Sequence, residues 1–547
     1  ILVHHGIHIR VGFDTMLAHY NVDENAPHGL DHLARMYYNA PDWDIPLKEK
    51  QGGASCERIA HYHAHDLHYT RKLYFTLKSM LTNDPATYRI FTQITMPCAN
   101  LFVQIEAQGM YLDKSKMSDA EEYLRSEFSS AAKELTQWGN INWGSPQQVA
   151  KLLYTDLKIK CPVKTPKGAP STSESALKQI EHPCVRTLLK YRGHKQQLSF
   201  FIEGWLPYIA GSRLHPSFKL HGTVTGRLSS EHPNCQQIPR DTRIRSIISA
   251  PSGWTLVEAD LSQIEMRIVA ELSGDPTLID IFRTGKDVHW NTVLNELERY
   301  VGQADLVVST ACTAKQVKKM GFAEAIQVLR DIGPDEAIEI NPAWKEMRKK
   351  AKAVNFGYVF GMWWKKFRQY ARDNYDMIIT DEEAQQSRIA FFQAYRLEAW
   401  HKLQKTKARA NGFVRSLAGR KRRLPDAMLG NDSFEESEAL RQAINSPVQS
   451  FANEINLMVL LQMCDEFPTS VYRPIATIHD AILQEVRNDH VERVANRIQE
   501  VMRRPALFDK FGIELRVPIE GDVKIGPWGS GISFDKWKLR VQSEVET

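Results

Sequence analysis

Three things are scarce in this 547-residue chain, and each scarcity removes a class of protein. Cysteine is sparse: the seven residues are an odd number, and none lies near another at the C-x-x-C spacing of a zinc site. That excludes a disulfide scaffold and a zinc module, and the expectation is reduced thiols in an intracellular setting. Long apolar runs are missing too; the longest are short pieces such as Leu457 to Cys464, far below the roughly 18 residues of a membrane helix. No secretory signal, internal repeat or low-complexity tract stands out. Nor is there an excess of acid. The net charge is +5, and the surplus is local: residues 341–372 carry nine Lys/Arg against the single acid Glu346, and residues 401–423 carry nine against none. Such density suits a polyanion, because neutralised phosphates release counterions. A solvated helix face is the other reading of charge alone.

What is present is ordinary soluble protein, 43% hydrophobic and 25% charged, in a chain long enough for about two to four domains. Residue 1 is Ile, and the chain is expected to begin inside a longer protein. Helix-forming stretches, Lys116 to Trp138 and Pro146 to Leu157, precede a turn-rich segment at 165–172, which fits two helical arms around an exposed tip. From Leu214 the pattern changes to short strands, ending in Thr255-Leu-Val-Glu-Ala-Asp260. Ser262 and Glu265 then form the S-x-x-E pattern of a capping box, so Asp260 is expected where a strand gives way to a helix. Asn341-Pro342 signals a second helix start, running at least to Phe356. Pro474 to Ile478 and Ala481 to Val486 read as a β-hairpin with His479-Asp480 at its tip.

The chemistry lies in these junctions. An Asp at a strand end and another at a hairpin tip could converge on one sheet edge, as carboxylates holding metal ions for phosphoryl transfer must. For Asp480 a polar turn residue is the plain alternative, although His-Asp is not a favoured two-residue turn. Arg348, Lys352 and Phe356 fall at i, i+4 and i+8, one face of a helix that could offer cations to a triphosphate and a ring to a base. A basic face with one core Phe is the other reading.

Together these segments resemble family A DNA polymerases, the bacterial DNA polymerase I group and its phage relatives. Ala259-Asp-Leu-Ser-Gln-Ile-Glu-Met-Arg267 is similar to the first palm motif, and Ile478-His-Asp480 to the second. Arg348-Lys-Lys-Ala-Lys-Ala-Val-Asn-Phe-Gly357 is similar to the nucleotide-binding finger helix. Thr225 to Ser230 with Pro233 to Pro239 resembles the primer-template segment. Arg441 to Gln449 resembles the helix beside the duplex, and Lys164 to Thr172 the thumb tip.

The resemblance implies an α+β right-hand fold, with an antiparallel palm sheet, helical fingers and thumb, and a partial ribonuclease H-like exonuclease domain. The implied boundaries are exonuclease-like 1–85, thumb 86–211, palm 212–272 and 425–547, and fingers 273–424 with an insertion near 295–340. It implies a DNA-directed DNA polymerase acting on primer-template DNA and dNTPs with two Mg2+ ions, Mn2+ being a substitute. The metal ligands would be Asp260, Asp480 and the Leu261 carbonyl. Arg348, Lys352, Phe356, His289, Gln263 and Glu265 would meet the nucleotide, Lys352 also protonating the pyrophosphate and Glu265 excluding a ribose 2′-OH. Arg227, Asn234, Gln236, Arg441, Asn445, Gln449 and His479 would face DNA. Further partners would be replication proteins or an additional N-terminal segment, with no membrane, in the cytoplasm of a bacterium or phage-infected host, an organelle staying open.

Three departures qualify the match. Ala481 stands where the second palm motif usually has Glu, and Phe360 where a Tyr commonly sits near the sugar gate. Tyr62-His-Ala-His-Asp66 matches the last exonuclease motif, but the earlier carboxylates are not in this chain, so no proofreading is expected from it alone. The competing readings are a single-subunit RNA polymerase, against which Glu265 and the thumb-tip sequence speak, and a non-catalytic DNA-binding subunit.

Overall fold

A computed structural model describes residues 6, 9–46, 48–300 and 304–545. Its centre is a five-stranded antiparallel sheet built from β1 (Trp254–Leu261), β2 (Tyr472–Ile478), β3 (Ala481–Arg487), β4 (Gly521–Ile525) and β5 (Ile532–Ser533). The spatial order is β5-β4-β1-β3-β2. The hairpin β2–β3 forms as the sequence predicts, with His479 in the left-handed region at φ 55°. Pro474 is tolerated because β2 is an edge strand, and the pairing register shifts beside it, between Leu483 and Gln484. Since β1 lies between β3 and β4, Asp260 has a cross-strand neighbour on each side: Ala481 and Asp522.

Helices surround this sheet and extend from it. Near the N-terminus are α1 (Thr15–Val22) and α2 (Cys56–Thr82). Next, α3 (Lys114–Leu135) and α4 (Pro183–Gln197) are the two arms, in contact along their length, with Phe128 stacked on Tyr191 at 4.8 Å between centroids. Their distal end has its own core, including Leu135, Trp143, Leu153, Leu177 and Leu188. After β1 come α5 (Ile264–Ser273), α6 (Val288–Tyr300), α7 (Ala304–Lys315), α8 (Phe322–Ile340), α9 (Ala343–Val359) and α10 (Trp364–Tyr375). Among its described residues, the stretch expected as an insertion is mostly helical, and it shares a second core with α6 and α9 through Trp290, Leu294, Leu329 and Trp344. Within α8 the backbone breaks at Gly333, whose φ of 75° suits glycine, followed by Pro334. Last are α11 (Phe434–Glu466) and α12 (Val491–Arg503). The middle of α11, Ser446 to Leu460, is buried at every position but Gln449, and the helix is capped by the Ser433 side chain accepting from the Glu436 N–H.

The N-terminal residues do not stand apart from this body. Leu17, Leu73, Leu77 and Leu81 belong to the same core as the palm strands. The Tyr20 hydroxyl donates to the Thr223 carbonyl at 2.7 Å. Among the described residues no strand precedes Met110, so the part expected to be ribonuclease H-like contributes helices here and no sheet. No helix among the described residues is long and apolar enough to cross a membrane. All seven cysteines are unpaired.

Candidate functional site

The two aspartates expected to converge do so. β1 ends at Leu261, and its Leu261 N–H donates to the Asp480 carbonyl at 3.3 Å, while Ala481 pairs with Asp260. Each carboxyl is driven upward in pKa. Asp260 is pushed up to about 6, first by burial and then by the negative charges of Asp480, Glu258 and Asp522. Asp480 is raised by burial, against the opposing pull of Arg227. Crowded carboxyls that resist ionisation are short of positive charge, and a divalent cation fits what the donor set lacks. Among the described residues, no three His, Cys, Asp or Glu groups lie close enough to hold an ion jointly.

Gln236 holds the hairpin tip from outside the sheet. Its Nε2 donates to the Thr477 carbonyl at 2.8 Å, and its Oε1 accepts from the His479 N–H at 3.1 Å. Both ends of the amide are thus spent on the backbone that presents Asp480. Asn234 caps the short turn before it, accepting from the Gln236 N–H at 3.0 Å, and stays exposed.

The capping box at the start of α5 is not formed. Gln263 takes a left-handed conformation at φ 51°, so the helix begins at Ile264 and Glu265 is its second residue, not its third. Ser262 meanwhile gives its N–H to the Glu520 carbonyl. The Glu265 carboxylate turns instead to Arg227, at 2.6 Å, and Arg227 also lies 3.8 Å from Asp480. Burial raises the Glu265 pKa against this pairing. The Oε1 of Gln263 is buried with no hydrogen-bond partner, a polar atom left waiting for a donor.

α9 begins where expected: the Asn341 side chain accepts from the Ala343 N–H at 3.0 Å, and the helix runs to Val359. Arg348 is held by Asp287 at 2.6 Å. The Lys352 ammonium lies 5.9 Å from the centroid of the Phe356 ring, and its pKa is lowered by burial, then by Arg240 and Arg348. His289 is only 3% exposed, its Nδ1 bonded to the Asn355 amide at 2.8 Å and its ring 5.7 Å from Phe356. Burial lowers its pKa to about 4, leaving it neutral at ordinary pH. Burial lowers the pKa of His479, with Arg227, Arg245 and Arg240 adding to it against the pull of Asp480.

Along α11, Arg441, Asn445 and Gln449 recur every fourth residue as half-exposed positions between buried neighbours, so they form one polar stripe. Arg441 is paired with Glu438, and the Oδ1 of Asn445 is buried without a partner.

The basic run 401–423 has a different use from the one its charge invites. Arg409 pairs with Glu436, Arg415 and Lys421 with Asp84, Arg420 with Glu454, and Arg422 and Arg423 with Glu24. Most of that run is therefore internal cement, and its acids come from segments the local sequence does not reveal. At the other end, Asp66 on α2 accepts from the Trp43 indole at 2.9 Å, and Lys50 lies over the Tyr62 ring. Sequence reasoning assigned no role to Asp287, Asn355, Arg240 or Asp522. Asp287 lies two residues before His289, and Asn355 inside the segment Arg348 to Gly357 that resembles the finger helix; Arg240 and Asp522 depend on contacts no spacing predicts.

A sheet presenting two carboxylates, together with a basic helix and a helical pair that has its own core, is the arrangement of a right-hand polymerase fold. The sequence model of DNA polymerase family A matches residues 114–304 and 312–530. The chain belongs to that family. It is 29% identical over 469 residues to the thermostable DNA polymerase I of Thermus thermophilus, covering 83% of this chain and 50% of that protein. It is also 29% identical over 524 residues to DNA polymerase I of Pseudomonas aeruginosa, covering 91% and 52%. With DNA polymerase I of Aquifex aeolicus the identity is 29% over 526 residues, covering 92% and 82%. The chain thus spans about half the length of the first two relatives. Among solved structures, the polymerase domain of Pol1 from M. smegmatis in complex with DNA primer-template and dNTP superposes with a TM-score of 0.76 at 25% identity, over 97% of this chain and 84% of that one.

Proposed function

We propose that this chain carries out template-directed DNA synthesis, transferring a nucleotidyl group from a dNTP to a primer 3′-OH. The observation that carries the reading is the meeting of Asp260 and Asp480 at one end of the sheet. In this reading residues 212–272 and 425–547 form the palm, 273–424 the fingers and 86–211 the thumb. Asp260 and Asp480, with the Leu261 carbonyl, would hold two Mg2+ ions, or Mn2+, which lower the pKa of the attacking hydroxyl and neutralise charge on the pyrophosphate.

The chain's own residues do the rest. Arg348 exchanges its bond to Asp287 for the triphosphate as α9 closes. Lys352, whose pKa is lowered by burial and by Arg240 and Arg348, would give a proton to the departing pyrophosphate. Phe356, backed by the neutral ring of His289, offers its face to the nucleotide, and Gln263 offers its unpaired carbonyl. Glu265, fixed by Arg227, stands as the barrier to a 2′-hydroxyl. The stripe Arg441–Asn445–Gln449 with Asn234 and His479 faces the duplex, while Gln236 contributes by holding the hairpin tip. Of the exonuclease ligands expected in the family, Asp66 alone is at hand and is engaged by Trp43; no hydrolytic step is assigned to it.

The test is primer extension with the Asp480→Ala variant, run in parallel with duplex binding. Synthesis should fall by at least about 10³-fold, the scale of losing metal-based charge stabilisation, with the duplex Kd within about threefold. Unaltered synthesis would sink the assignment. Running the assay with ribonucleotides alone separates this reading from an RNA polymerase.

A further inference from the structure

The second palm motif lacks its usual second acid, since Ala481 follows Asp480. The sheet shows where compensating charge can come from. β1 is flanked on both sides, and Asp260 stands directly opposite Ala481 on β3 and Asp522 on β4. Residues directly opposite one another in an antiparallel pair project from the same face, with Cβ atoms about 4.5–5.5 Å apart. Ala481, Asp260 and Asp522 therefore make one row, empty of charge on one side and acidic on the other. The next row holds Leu483, Glu258 and Lys524. There Glu258 accepts from the Trp528 indole at 3.2 Å and stands opposite Lys524 in the strand register, so it already has a partner. Asp522 is exposed and has no side-chain hydrogen bond or ion pair among the described residues; Arg267, the basic residue on α5, is spent on Ser262, Pro518 and Glu520.

We propose that Asp522 is a positioning carboxylate for the cation held at Asp260, supplying from β4 the negative charge that Ala481 withholds on β3. This inference rests on the two-aspartate reading above. Asp522 acts through its field, or through an ordered water, and is not a third direct ligand, because no three such groups come close enough to hold an ion jointly. An anion about 5 Å from a ligand carboxylate stabilises a nearby dication even at a solvated surface, and salt must weaken that contribution.

The experiment measures Mn2+ binding to the whole chain by electron paramagnetic resonance, without DNA or nucleotide, at low and high salt. Asp522→Asn, an isosteric change at an exposed site, should weaken Mn2+ binding by about tenfold at low salt, with the gap narrowing at about 0.5 M salt. Asp522→Glu, which keeps the charge, should stay within about threefold of the parent. Adding Ala481→Glu to Asp522→Asn should restore binding, because it returns an acid to the same row from the other side; a purely structural role for Asp522 would not be rescued there. Unchanged Mn2+ affinity in Asp522→Asn, alongside loss of binding in Asp480→Ala, overturns the proposal and leaves the two-aspartate reading standing. Unchanged affinity in both removes that reading, and the proposal with it.

Discussion

At the scale of single residues, the carboxyl of Asp260 carries a stability cost. Its pKa near 6 exceeds the ordinary 3.8, so between those values the folded chain holds a proton that the unfolded chain has released. Stability from this group is therefore fully present below about pH 4 and is lost as pH rises through 6. In the metal-free protein, Asp260→Asn should raise palm stability at pH 7.5 by about 1–3 kcal/mol and have little effect at pH 4. Thermal melts of both proteins at the two pH values check this, and an equal effect at both would refute it. A second residue-scale expectation concerns the sugar. A tyrosine commonly found near the gate is Phe360 here, but Glu265 is fastened by Arg227 at 2.6 Å, so its orientation needs no hydroxyl from position 360. Deoxynucleotides should still be preferred, and Glu265→Ala should raise ribonucleotide incorporation about 10- to 100-fold in single-nucleotide extension, the usual range for a steric contact. Equal use of both sugars by the parent chain would defeat this account.

At the scale of elements, the local signals that succeeded were those in which backbone and periodicity agree. The strand ending at Asp260, the hairpin around His479-Asp480 and the basic helix after Pro342 all read correctly, because alternation, turn residues and an Asn-Pro start are short-range effects. The box at Ser262 failed although its pattern is the same as the one that forms at Thr380 and Glu383, where both reciprocal bonds are present. What separates the two is tertiary: the Ser262 N–H is taken by the Glu520 backbone carbonyl, and the Glu265 carboxylate by the charge-assisted pairing with Arg227. The basic run failed as a surface signal for a related reason. On the long helix α11, Glu454 is fully buried, bonded to Arg420 and to the Ser416 hydroxyl. Glu454→Ala should destabilise the protein by about 3–5 kcal/mol, because Arg420 would remain buried without its counter-charge. Replacing Arg420 and Glu454 together with apolar residues should cost less, and denaturant melts of the single and double variants distinguish the cases.

At the scale of the whole molecule, the buried apolar side chains among the described residues fall into five clusters, three of which bear on unfolding. The main core runs from the N-terminal helices through the palm, and the far end of the helical arms and the 290–351 region each have their own. Unfolding should therefore not be a single event. Leu188→Ala, in the arm-tip core, should lower local stability by about 2–5 kcal/mol as read by hydrogen exchange, leaving protection in β1 and β3 unchanged. Uniform loss across the chain would contradict separate cores. The N-terminal segment is part of the central body, because Glu24 binds Arg422 and Arg423, and Arg422 continues to Gln442 on α11, next to Arg441. A segment read from its sequence as a remnant of another domain thus braces the helix proposed to lie along DNA.

The sequence alone determined the parts whose identity is chemical and whose geometry is local: two aspartates at a strand end and a turn, a helix face with Arg348, Lys352 and Phe356, and enough ordered motifs to place the chain in its family. Only the tertiary structure decided which charges are free and which are spent. Ion pairing depends on distances of a few ångströms between segments hundreds of residues apart, as between Glu24 and Arg422. Strand register, which places Asp522 beside Asp260 and Ala481 on its other side, is likewise a property of the assembled sheet, because a slip of one residue would turn each of those side chains to the opposite face.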